Sequence, residues 1–410
     1  MASLLQRTRR REVHRLIAPF LRFAHLESAG SIVLLLATVA ALLAANSPLG
    51  DVYEALLNYS VGKDAGALAH WNVHAFVNDG LMAIFFLIVG LEVKREFLTG
   101  ELRSLRQALL PVLAALGGVV TPALLYLVLN GTGPGARGWG VPIATDVAFS
   151  LAVLAVFGRR IPVGLKVFLV ALAIVDDIAG VVVIAVAYTR ELRLGYLAIA
   201  VLLFALCLLL SRLGVRWLSL YVPLGVALWW VMHMSGVHPT MAGILFALAL
   251  PAGRGSDAGG AQESPAARLE HGLHPWVSFG IVPLFALVNA GISLHGLNRD
   301  TVLHPIFLGV VLGLMLGKPL GITLFSWIAV RLGLAELPRE VSWSQLHAVS
   351  WLGGIGFTVS IFIAGLAFQT EEQYTLARIA VLAASAGAAG IGAWGLAATH
   401  RRRREPRPGI

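Results

Sequence analysis

Apolar residues run along this chain in stretches of about 15 to 27, with few charges and no strict apolar/polar alternation. A helix needs roughly 20 such residues to cross a hydrocarbon core, and a backbone in lipid must satisfy its own hydrogen bonds. The pattern therefore predicts spanning helices and not a barrel of short strands. About twelve spans are expected, at 29–45, 76–98, 107–130, 140–158, 164–188, 195–211, 217–234, 236–250, 273–295, 304–330, 346–368 and 375–398. Two of them are unusual: Gly138–Phe149 (GWGVPIATDVAF) and Gly353–Phe362 (GGIGFTVSIF) carry helix-weakening Gly, Pro or Thr in mid-span. Interrupted helices of this kind point to a transport site.

Composition narrows the class to an all-α polytopic membrane protein. With 58% hydrophobic and 13% charged residues and a mean hydropathy of +0.80, one soluble core could not hide the apolar surface. One integral domain is expected over 29–398, between a basic cytoplasmic segment 1–28 and an Arg-rich cytoplasmic tail 399–410. The longest hydrophilic break, a Gly/Ser/Ala-rich flexible cytoplasmic loop at 251–268, separates eight spans from four. The first apolar run begins near residue 29, where a cleaved signal would be ending, so no such signal is expected. The single Cys207 excludes an intrachain disulfide, no Cys/His spacing suggests structural zinc, and no cofactor is expected.

The net charge of +9 and the Arg clusters near both ends invite a nucleic-acid reading. Distribution argues against it. With the N-terminus in the cytoplasm, about 24 of the 31 Lys and Arg fall on the cytoplasmic side, as the positive-inside rule requires. The expectation is a multi-pass protein of the cell (inner) membrane, with both termini cytoplasmic and lipid, not nucleic acid, as its partner.

Ionisable groups at span centres carry the chemistry, since a charge there costs roughly 2.5–3.5 kcal/mol on insertion scales. Four qualify: Asp146, beside Thr145 in the interrupted fourth span, Asp176 and Asp177 in the fifth, and Lys318 in the tenth. Adjacent helical residues point about 100° apart, so Asp176 and Asp177 must divide the work. Lys318 needs a counter-charge, and its partner is one of the three aspartates. A structural ion pair explains one acid, and the others must be protonated or bind a cation. That either/or is the physical basis of exchanging a cation for protons. An intramembrane aspartyl protease would need facing aspartates and a Gly-x-Gly-Asp string, which is missing. A transporter of organic anions would have less use for unpaired acids, and a channel would repeat its acids as a ring.

The strings NDGLMAIFFLIVGLEVKRE (78–96), PIATDVAF (142–149), KVFLVALAIVDDIAG (166–180), SGVHPTMAG (235–243), RLEHGLHPWVSFGIVPLFALVNAG (268–291), LGKPLGI (316–322) and GGIGFTVSIFIAGLAF (353–368) resemble those of NhaA-type sodium/proton antiporters. The interrupted-helix generalisation draws in part on that family and so lends the resemblance no independent weight. The resemblance implies twelve helices with inverted repeats, the fourth and eleventh broken and crossing at mid-membrane. It implies that Asp177 binds the ion, while Asp176 takes part in proton exchange and pairs with Lys318. Thr145 and Asp146 would stand at the crossing, Asp146 balancing exposed N–H ends and Lys318 exposed carbonyl ends. Sodium or lithium would leave in exchange for more protons entering, electrogenically and by alternating access, with cation and protons competing for the aspartates. Such a protein serves pH homeostasis and salt tolerance, and is a secondary transporter, not an enzyme.

A second cluster, Glu92, Lys94, Arg95 and Glu96 after the second span with Glu270, His271 and His274 before the ninth, resembles the family's pH-responsive entry funnel. Its plainer explanation is a solvated pattern of helix-end charges. Asn289 is expected to bridge helices, and His233, His238 and His347 to play structural parts. Some relatives join two protomers through a hairpin after the first span. Residues 50–72 do not alternate as such strands, so a homodimer is the weakest inference from the resemblance.

Overall fold

Lipid-facing backbone satisfies itself best as helix, and in the computed structural model the apolar stretches are helical. It describes residues 29–60, 71–189, 192–253, 263–294 and 298–402. The expectations for residues 1–28, for 254–262 within the 251–268 loop, for 61–70 within the hairpin stretch and for the last eight residues lie outside the described residues.

Helix α1 (Ala29–Ala45) turns by 115° into α2 (Gly50–Leu57), and α3 (Val73–Thr99) and α4 (Leu105–Asn130) follow. Next come a bent pair, the 3₁₀ helix α5 (Pro134–Ile143) and α6 (Val147–Val156), and the long α7 (Val163–Ala187). Helices α8 (Leu194–Arg212), α9 (Leu218–Ser235), α10 (Thr240–Ala249), α11 (Pro265–Asn289) and α12 (Pro305–Arg331) continue the chain. A second bent pair, α13 (Trp343–Leu352) and α14 (Phe357–Ala367), precedes α15 (Glu371–Arg402).

Among the described residues eight helices are long and apolar enough to cross a membrane, and eleven if α1 with α2, α5 with α6 and α13 with α14 each count as one span. The expected count of about twelve included 236–250, where the helix has only ten residues and is about 15 Å long. Gly236, at φ +88°, ends α9 in a left-handed turn, and α10 begins only after Pro239. The only β feature among the described residues is the isolated bridge between Ser60 and Asn72.

The helices pack in two groups. In the first, α4 and α12 approach until their backbones touch: a Cβ on Gly117 would meet the Gly321 carbonyl oxygen, and one on Gly321 the Gly117 oxygen. Small residues permit this closeness, which is how helices associate where lipid removes the hydrophobic drive between them. The bent pairs, α7 and α15 complete this group. In the second, Gly90 and Gly243 admit α10 against α3, and α8, α9 and α11 pack around them. Helices α1 and α2 are tied to α11 and its following loop by Asn46 donating to the Ile292 carbonyl at 2.8 Å and Tyr53 donating to that of Leu287. Contacts between the groups are sparse, and α7 meets α3 along this boundary. Three spans widen into π-helical turns, at Phe76–Leu81, Val277–Ile281 and Gly313–Gly317, the last immediately before Lys318.

Candidate functional site

The two bent pairs meet at their breaks. Residues 144–146 are extended, and the Asp146 N–H donates to the Ile355 carbonyl at 2.6 Å. A break exposes N–H groups on one side and carbonyls on the other, and each needs a partner. Asp146 caps two helices with one carboxylate. Its Oδ1 accepts the Phe149 N–H of α6 at 3.0 Å. Its Oδ2 accepts the Thr358 N–H of α14 at 3.2 Å and the Thr358 hydroxyl at 2.6 Å. Both positive helix ends therefore point at one negative charge.

The carbonyl ends are met by donors. Lys318 is completely buried, and its ammonium donates to the Ile143 carbonyl at the end of α5 and to Asp176 Oδ2. Ser150 lies 2.8 Å from the Leu352 carbonyl, and Thr145 Oγ1 lies 2.8 Å from that of Gly353 and 2.6 Å from Asp176 Oδ2. A threonine hydroxyl has one hydrogen, so Thr145 donates to one of these acceptors at a time. Asp176 is 1% exposed, and its Oδ1 has no hydrogen-bond partner among the described residues.

Asp177, one residue on, faces elsewhere. It borders a cavity of about 70 Å³ between the two helix groups, shared with Thr145, Asp146, Glu92 and His274. No hydrogen bond or ion pair engages Asp177 among the described residues. Glu92 and His274 on the wall of this cavity stand one helical turn from Arg95 and Glu270, which with Arg268 mark the basic face of the protein.

At that face the seven charged residues singled out by sequence separate. His274 Nε2 lies 3.9 Å from Glu92 Oε1 on the cavity wall, and Arg95 pairs with Glu270 and, at 3.6 Å, with Glu96. Lys94 turns away: it donates to the carbonyls of Leu248, at 2.7 Å, and Leu250, ending α10. His271 lies 3.7 Å from Glu263 and is largely exposed.

Other polar residues are more engaged than single-residue reading suggests. His347 lies 2.9 Å from Thr323 Oγ1 and accepts the Trp351 indole N–H at 3.2 Å, tying α13 to α12. His238 lies 3.5 Å from Asp79 and 2.8 Å from Thr240. Asn289 bridges helices through Asn78. The two histidine contacts join residues 24 and 159 positions apart, and no local sequence pattern signals them.

The profile of the family described as Na+/H+ antiporter 1 matches residues 21–396. The chain is 46% identical over 376 residues to the Na(+)/H(+) antiporter NhaA 2 of Flavobacterium johnsoniae, covering 91% of each chain. It is 45% identical over 405 residues to the NhaA of Koribacter versatilis, covering 90% of this chain and 89% of the relative. The NhaA of Vibrio parahaemolyticus is 46% identical over 374 residues, 90% of this chain and 94% of that one. Matches of this extent leave no large part of the helical body unaccounted for, and the chain belongs to the Na+/H+ antiporter 1 family, a family of transporters.

Proposed function

We propose that the chain exports sodium, and lithium, in exchange for protons across the bacterial inner membrane, with both termini in the cytoplasm. The observation that carries this reading is Asp177: a carboxylate between two helix groups, on a small cavity, without a protein partner among the described residues. Away from bulk water such a group either holds a proton or binds a cation. Carboxylate oxygens with the Thr145 hydroxyl nearby suit a small hard cation. A cavity of about 70 Å³ admits an ion with a little water and is far below the roughly 300 Å³ at which organic-ligand sites begin. This disfavours an organic anion as cargo.

Asp177 binds the ion in this reading, and Asp176 carries the linked proton. When Asp176 takes a proton, its bare Oδ1 is the free position, and Lys318 keeps the Ile143 carbonyl as a partner. Two carboxylates loading protons for one sodium move one net charge inward. An inside-negative potential then contributes about 2.3 kcal/mol per 100 mV to extrusion. Glu92 draws cations to the entrance, and the reading assigns the entrance's response to pH to His274 beside Glu92.

Helices α4–α7 and α12–α15 share one plan, a straight helix, a broken one and a straight one. The reading takes them as inverted repeats whose breaks cross at the membrane centre. Alternating access then follows from sliding this group against the other, which the sparse contacts between them permit. In this reading the basic face is cytoplasmic, and Asp177 is open to it through the cavity that Glu92 and His274 line.

The test uses everted vesicles with an imposed proton gradient. Sodium or lithium should collapse the gradient in wild type and leave it standing in Asp177→Asn. Equal collapse in both would remove Asp177 from the site, and sodium transport without a voltage would remove the electrogenic stoichiometry.

A further inference from the structure

On the face opposite the basic one, a second cavity of about 950 Å³ descends between the helix groups. Asp79, His238, Phe362, Glu371 and Arg378 are among its lining residues, and it shares none with the cavity at Asp177. Two features close the space between them. Phe362 of α14 is wedged between helices of the other group, its ring centroid 5.4 Å from that of Phe86 on α3 and 6.3 Å from that of Phe285 on α11. All three rings are at most 4% exposed. His238 stands nearly perpendicular to Phe362 with ring centroids 5.3 Å apart, and the two rings together line the floor of the large cavity.

Beside this ring layer the groups are also joined by polar contacts. Asn289, at the end of α11, is 1% exposed. Its side-chain N–H donates to Asn78 Oδ1 at 3.0 Å and to the Phe285 carbonyl at 2.9 Å, both within its own group. Its Oδ1 accepts the Tyr374 hydroxyl of α15, in the other group, at 3.0 Å. Arg378, one turn further along α15, donates to the Asn289 backbone carbonyl at 3.4 Å. The guanidinium stacks 4.3 Å above the Tyr374 ring and is anchored to Glu371 at 2.8 Å. Asn289 is thus fixed by its own helices and offers two oxygens across the boundary.

We propose that Tyr374 and Arg378 of α15 latch onto Asn289 of α11 and, with Phe362 between Phe86 and Phe285, hold the outer face shut while Asp177 opens to the basic face. The inference rests on the alternating-access reading and deepens it by naming the contacts that must part when the protein switches. Tyr374 is then a positioning residue: it touches no ion and sets the balance of the two access states. The latch is suited to repeated opening, because the large cavity lies against both Tyr374 and Arg378 and can supply water to each as the bond breaks. Hydrogen bonds between membrane helices are worth little individually, so losing one should shift the balance by roughly threefold, and losing both by about tenfold.

The test reads access directly. In a Cys207→Ser background, Ala148→Cys places a thiol on the wall of the cavity at Asp177. Labelling by a membrane-impermeant maleimide is then compared in right-side-out and everted vesicles. The unmodified latch should give labelling mainly from the basic face. Tyr374→Phe should raise labelling from the other face about threefold and lower it from the basic face, and adding Arg378→Gln should extend the shift. Phe362→Leu, which loosens the ring layer without touching the hydrogen bonds, should shift it in the same direction. Unchanged labelling ratios in the Tyr374 and Arg378 variants, with melting temperatures near the parent's, would overturn the latch alone. A thiol equally open to both faces in the parent would overturn alternating access, and the latch with it.

Discussion

The two sides of α7 present neighbouring aspartates to opposite surroundings. Towards the crossing, Asp176 is sealed among Lys318, Thr145 and the helix breaks, with its charge matched by an ammonium. Towards the other helix group, Asp177 borders a cavity, and among the described residues no cation pairs with it. Depth is the same and residue type is the same. A rotation of about 100° between consecutive residues is all that separates a packed ion pair from a carboxylate on an open cavity. Burial of an acid is therefore a poor guide to its role until its partners are known.

The largest expected effect sets these two sides against each other. Asp176→Asn leaves the Lys318 ammonium buried and unmatched, and breaking a buried pair in this way costs about 3–5 kcal/mol. Melting in detergent should drop sharply. Asp177→Asn removes a charge that nothing balances, so its melting temperature should equal or exceed the parent's while exchange is lost. The ion pair itself need not stabilise, because hydrophobic replacements of similar volume are often neutral. Asp176→Leu combined with Lys318→Met should therefore recover most of the melting temperature lost in Asp176→Asn. If Asp177→Asn proves the unstable variant, the comparison is reversed.

How much of this is legible in sequence follows from what a linear pattern encodes. The helices and the four charged residues at depth stand out because lipid makes every polar interruption expensive. The two breaks stand out through Gly138–Phe149 and Gly353–Phe362 for the same reason. What sequence leaves open is the partner of Lys318, since that depends on the rotation of α7 and on which carbonyl end reaches the ammonium. Only the family resemblance favours Asp176. Asp146 as a joint cap depends on Thr358, 212 residues away. Charges at helix ends look alike along a chain, which is why Lys94 is grouped with Arg95 although it turns to the carbonyls ending α10. Residue count also misleads at 236–250, where a left-handed Gly236 shortens an apolar stretch into a ten-residue helix.

An intermediate effect sharpens the cavity side alone. If protons and sodium compete for Asp177, acidification must weaken apparent sodium affinity, because a protonated carboxyl cannot hold the cation. Where the competing group is mostly protonated, the apparent KM for sodium should rise about tenfold for each unit fall in pH. Initial rates in everted vesicles, with sodium varied at several fixed pH values, measure this slope. Under the proposed division of labour, in which Glu92 on the cavity wall only attracts cations, Glu92→Gln should raise KM a few-fold at each pH without changing the slope. A KM indifferent to pH while the maximal rate alone falls would detach the proton from the sodium site.

The smallest effect separates the cavity wall from the scaffold that carries it. Lys94 and His274 are both ionisable groups near the basic face, and sequence places them in one cluster. Lys94 donates to the carbonyls of Ala247, Leu248 and Leu250 at the end of α10, a helix held to α3 through Gly90 and Gly243. His274 stands on the cavity wall 3.9 Å from Glu92. Lys94→Ala should therefore cost about 1 kcal/mol through unsatisfied carbonyls, visible as a melting temperature lower by a few degrees, with the pH at half-maximal exchange unmoved. His274→Gln keeps a polar side chain at the wall and removes the titration, so it should shift that pH while melting stays put. Lys94→Arg, which can still donate to these carbonyls, should restore the melting temperature. A pH profile displaced by Lys94→Ala as far as by His274→Gln would return Lys94 to the cavity side of the comparison.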